Sequence, residues 1–150
     1  MGSAEAVLVC ALSVLGRSPG SFPPIEFVHT PPVGVSAGAE AFVRDGERRI
    51  FLVTSTAVFR RAQKAFECHG DVDAMRKLAS VLVHEEWHLA HGSDETGAYL
   101  AQLTALAFMG AGQDNPIYDD VKHSMLSVLA RLKADRRAAV SKRAPGVPLS

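Results

Sequence analysis

Residues 81–95 read Val-Leu-Val-His-Glu-Glu-Trp-His-Leu-Ala-His-Gly-Ser-Asp-Glu, and the fold is read outward from them. Leu78, Ala79, Val81, Leu82, Val83, Leu89 and Ala90 make the segment apolar around most of its surface. Asp71 offers an N-cap and Gly92 a stop, so the pattern predicts a helix over about 72–91. His84, Glu85, Glu86 and His88 sit midway along it, where unpaired polar groups are costly and need partners. Their order is His-Glu-x-x-His. Residues four apart share one helical face, about 40° apart at 100° per residue, so two imidazoles can converge on one zinc ion. Glu85, one residue round from the first ligand, reaches a zinc-activated water instead of the metal and can take its proton.

A catalytic zinc usually has three protein ligands. His91, Asp94 and Glu95 are the candidates for the third. His91 lies about 10.5 Å along the axis from His84, and three ligands strung along one helix cannot close a tetrahedral site. Glu95 opens the next helix after the Gly92 turn, and that helix can fold back beside the first. Glu95, Tyr99, Gln102 and Leu106 then share one stripe, which favours Glu95.

The rest of the chain is laid out around this pair of helices. Ala6–Leu15 reads as the apolar part of an N-terminal helix, about 4–16, ended by Gly16 and Pro19; it is half the length a bilayer needs and lacks the basic start of a signal peptide. Residues 18–24 are a linker. Ile25–His29, Glu40–Arg44 and Arg48–Thr54 read as strands, with Asp45-Gly46 marking a tight hairpin. From Ser55 the period becomes helical. Val58, Phe59, Ala62, Ala65 and Phe66 follow a cap at Ser55 or Thr56, and Gly70 stops that helix. A helix from Ser93 or Asp94 to about Met109 and a last one from Pro116 into the 130s complete a helical region over about 56–138. The order implies one α+β domain over 1–150: a small, mostly antiparallel three-stranded sheet, about 25–54, packed with about five helices.

Composition narrows the function. Lys plus Arg and Asp plus Glu are 16 each, so no net field draws the chain to nucleic acid. A 47% hydrophobic content suits a real core. Cys10 and Cys68 form no disulfide framework and lack metal-ligand spacing; read as unpaired, they favour the cytoplasm over secretion.

His84 to Leu103 resembles the core of the zincin metallopeptidases, specifically the minimal, single-domain gluzincins. The likeness covers Val72 to Gly110 closely and the hairpin only in layout. It implies His84, His88 and Glu95 as zinc ligands, Glu85 as general base, a peptide or protein substrate, and Glu40–Arg44 as an edge strand for extended substrate. Where gluzincins often carry an Asp four residues after the ligand Glu, this chain has Tyr99, whose hydroxyl could orient a ligand histidine or hold the oxyanion. Metzincin-type motifs place the third ligand at Asp94, but the Gly they require falls at His91. Tyr118 and His123 are further donor candidates for the oxyanion. Trp87, facing away from the ligands, reads as packing, and Glu86 as the partner of an arginine. His29, Cys68 and His69 read as structural. Arg131, Lys133, Arg136, Arg137, Lys142 and Arg143 read as a solvated helix face. The expectation is a zinc metallopeptidase. The alternatives are a catalytically silent metal-binding module of the same fold and a helical domain with an accidental motif.

Overall fold

The computed structural model describes residues 3–64, 68 and 71–142. Among them lie α1 (Ala4–Val14), β1 (Ile25–Val28), β2 (Ala41–Phe42), β3 (Ile50–Val53), α2 (Ala57–Gln63), α3 (Val72–His91), α4 (Glu95–Phe108) and α5 (Pro116–Ser141), with one 3-10 turn at Pro19–Ser21. This is an α+β arrangement. The expected helical positions Ala65, Phe66 and Gly70, and also His69 and Arg143, fall outside the described residues.

α3 is the centre of the molecule, packed by α1, α2 and α4 and backed by β2 and β3. Leu78, Ala79 and Leu82 are fully buried along it, as their spacing requires. The side chain of Asp71 caps α3 by accepting from the Ala74 amide. α1 ends in a Schellman arrangement: Gly16 takes φ 71°, Arg17 N donates to the Leu12 carbonyl, and Gly16 N donates to that of Ser13. That turn delivers Arg17 to Glu86 on α3 in a two-pronged ion pair at 3.0 and 2.7 Å, the arginine partner that Glu86 needed.

The sheet corrects one expectation. Its order is β1-β3-β2, with β2 antiparallel to β3 but β1 parallel to it, so the sheet is mixed and not mostly antiparallel. The tight Arg44–Glu47 turn forces the β2–β3 hairpin to be antiparallel. Residues 29–40 are a long connection that lets β1 reach the other edge of β3 in the parallel sense. Within the turn only Gly46 has positive φ, 80°. Glu47 N bonds to the Arg44 carbonyl, the pattern of a type II turn rather than one with both central residues left-handed. β3, the middle strand, is buried along its whole length. Ile50 and Leu52 face the helices, while Phe51 stacks on Phe42 at 5.0 Å on the opposite face.

The cysteines require a second correction. Cys10 on α1 and Cys68 are joined by a disulfide, 58 residues apart in sequence. The cytoplasmic preference, which rested on unpaired thiols together with the weak N-terminal signal, loses the first of those grounds. Among the described residues no helix is long and apolar enough to cross a membrane.

Candidate metal centre

The buried polar or charged residues among those described are Ser80, His84, Glu85 and Gln102. All four meet in one place, where α3 and α4 lie side by side. A core that is otherwise apolar has gathered its polar groups at the His-Glu-x-x-His turn.

Three side chains converge there. His84 Nε2 lies 3.2 Å from His88 Nε2 and 3.5 Å from Glu95 Oε1, and His88 Nε2 touches the same carboxylate oxygen. One ligand atom from each of His84, His88 and Glu95 lies within 4.8 Å of the others, so this group could hold a metal ion. α3 supplies both histidines through their four-residue spacing. The corner at Gly92, with φ 87°, turns the chain back so that α4 begins beside them at Glu95.

The hydrogen bonds behind the rings determine which nitrogen carries the proton. The Lys77 carbonyl can only accept, so it takes the Ser80 hydroxyl at 2.7 Å. Ser80 Oγ then accepts from Gln102 Nε2 at 3.2 Å, which turns Gln102 Oε1 toward His84 Nδ1 at 2.9 Å. His84 Nδ1 is therefore the donor. His88 Nδ1 likewise donates to the Gly92 carbonyl at 2.7 Å. Both Nε2 atoms are left with lone pairs facing each other and a carboxylate. Only a cation, a shared proton or a metal ion, makes that arrangement favourable. Without metal, hydrogen bonding to Glu95 raises the proton affinity of His88. The same contacts, from His84 and then His88, hold the Glu95 carboxyl down to about 2.

Glu85 is placed differently. It lines a cleft of about 880 Å³ that opens over the metal group. Burial pushes its carboxyl up to about 7, against the pull of the two imidazoles. Among the described residues, no hydrogen bond or ion pair engages it.

The other candidates separate. Tyr99 lines the cleft and sets its ring edge-on to His84 at 4.6 Å. The orienting bond to His84 comes instead from Gln102, three residues further along the same stripe of α4. Gln102 was read only as a member of that stripe, and the signal was a lone amide on an otherwise apolar face. Asp94 caps α4 through the Thr96 amide and stands outside the metal group, as does His91, whose Nδ1 bonds to the Trp87 carbonyl. Trp87 stacks on His91 at 4.4 Å. Tyr118 packs against the core, His123 lines the cleft, and His29 is exposed on the sheet side. Arg131 is exposed, as a solvated face requires, and also lines the cleft.

No family model, curated protein or solved structure matches this chain. The case for a function therefore rests on the site's own chemistry.

Proposed function

We propose that the protein is a zinc-dependent metallopeptidase of the zincin type, formed by residues 1–150 as one domain. The observation that carries this reading is the convergence of two Nδ1-anchored imidazoles and one carboxylate from a neighbouring helix. Two nitrogens and one carboxylate oxygen, one protein ligand fewer than a closed structural site uses, form a donor set suited to catalytic zinc. When bound, zinc supplies Lewis acidity, polarising a carbonyl and bringing the pKa of water near 7.

Glu85 acts as the general base. Buried on the cleft and free of a hydrogen-bond or ion-pair partner among the described residues, its carboxylate can take a proton from the attacking water and return it to the departing amine. Tyr99, beside His84 and lining the cleft, would offer its hydroxyl to the developing oxyanion. β2 stands at the sheet edge, and Glu40–Arg44 line the same cleft. An extended peptide can pair its backbone there while its scissile bond lies over the metal group.

The decisive experiment is Glu85→Gln. The variant should bind zinc with the affinity of the parent protein and lose at least about 100-fold of the metal-dependent peptide cleavage. A parent protein loaded with one zinc per chain that cleaves no member of a diverse peptide library would overturn the peptidase reading in favour of a silent metal-binding module.

A further inference from the structure

The cleft has two unlike walls. One is the β2 edge and its turn. The other is a face of α5 bearing Val121, Ser124, Ser127, Val128 and Arg131, with His123 at its border. At 100° per residue these five fall within about 120° of one another, so they form one continuous side of the helix. Val121 is buried at its base, and Arg131 stands ten residues on, about 15 Å up the axis. Between them the side chains are two serines and a valine, small enough to leave the cleft open.

The charges along the two cleft walls are largely cancelled in place, whereas Glu85 between them has no ion-pair partner among the described residues. Lys77 pairs with Glu40 at 3.5 Å, and Arg44 with Glu47 at 3.9 Å while lying over the Phe51 ring. Glu95 belongs to the metal group, and Asp45 is exposed at the tip of the opposite turn. Arg131 forms no ion pair among the described residues. Arg131 lines the same cleft as Tyr99, His84, His88 and Glu95. An arginine presents a planar fork of N–H donors that matches a carboxylate in two-pronged geometry.

We propose that Arg131 selects the substrate by receiving a carboxylate of the peptide, either its free C-terminus or an acidic side chain close to the cleaved bond. This assignment rests on the metallopeptidase reading. The neutral serines around Arg131 offer hydrogen bonds without a competing negative charge, so the incoming carboxylate is the counter-ion the wall lacks.

The test uses zinc-loaded Glu85→Gln protein, which holds peptide without turnover, and one labelled peptide prepared as free acid, as C-terminal amide, and with Glu exchanged for Gln. Binding is measured with Arg131 intact, with Arg131→Ala and with Arg131→Glu, each checked for unchanged helix content. The carboxylate-bearing form should bind about 10–100-fold more tightly than its neutral counterpart. That ratio should fall near one in Arg131→Ala and invert in Arg131→Glu. The free-acid/amide pair and the Glu/Gln pair show which carboxylate is read. Equal binding of charged and neutral forms, an unchanged ratio in Arg131→Ala, or no binding of any form overturns the proposal. Turnover by the parent protein is scored separately. If it is absent, the peptidase reading falls, while the binding ratio still decides the role of Arg131.

Discussion

Gln102 has a role out of proportion to its size. Its amide transmits the fixed polarity of the Lys77 carbonyl, through Ser80, to His84 Nδ1. Exchanging Gln102 for Leu keeps the volume but leaves His84 Nδ1 without its acceptor, and the ring is then free to change tautomer and orientation. Gln102→Leu should lower zinc affinity about 10–100-fold in a competition titration. The metal-free variant should keep its helix content, since Leu is as good a helix former as Gln. At this scale the site was unevenly legible. His84, Glu85 and His88 declare themselves through spacing alone, because a helix converts a four-residue interval into proximity. Gln102 carries no such signal. Its partner is 18 residues away, and the contact exists only once α4 lies against α3. Arg131 was hidden for a similar reason: its face of α5 became a cleft wall only when the β2 edge stood opposite.

Among elements, the seat of α4 on α3 determines where Glu95 arrives. Trp87 lies over Gly97, two residues beyond Glu95, so closely that a Cβ built on Gly97 would stand 2.1 Å from Trp87 Cζ2. The indole itself is held by stacking on His91. Gly97→Ala should therefore push the first turn of α4 away from α3, costing about 1–3 kcal/mol in urea denaturation and weakening zinc binding more than a remote core change of equal cost. Adding Trp87→Leu should return part of both losses, because the clash is specific to the ring. The helices were readable in sequence because Asp71, Asn115-Pro116 and the glycines mark their ends with local chemistry. The Asp45-Gly46 turn was equally plain. The pairing of β1 was not, since nothing local in Ile25–Val28 distinguishes a parallel neighbour from an antiparallel one.

Across the whole molecule, the longest covalent tie is Cys10–Cys68, which fastens α1 to the chain that follows α2. Closing a loop with a sequence separation of 58 restricts the unfolded chain by about 4 kcal/mol on the chain-entropy account. Cys10→Ser should lower the melting temperature by on the order of 10 °C. Reductant should bring the parent protein down to the same value and leave the variant unmoved; equal melting of the two under oxidising conditions would dismiss the tie as a stabiliser. Two cysteines so far apart give no hint of adjacency until the packing of α1 against α2 and α3 is known. The corner between α3 and α4 imposes a second kind of constraint. Gly92 N bonds to the His88 carbonyl while the Gly92 carbonyl orients the His88 ring, so one residue both finishes a helix and aims a candidate ligand. The interval from His88 to Glu95 is consequently a ruler without slack. One residue inserted at this corner would carry the Glu95 carboxylate away from the two imidazoles. Drift in length is open to the loops around the sheet, but at this corner it would unmake the donor set in a single step.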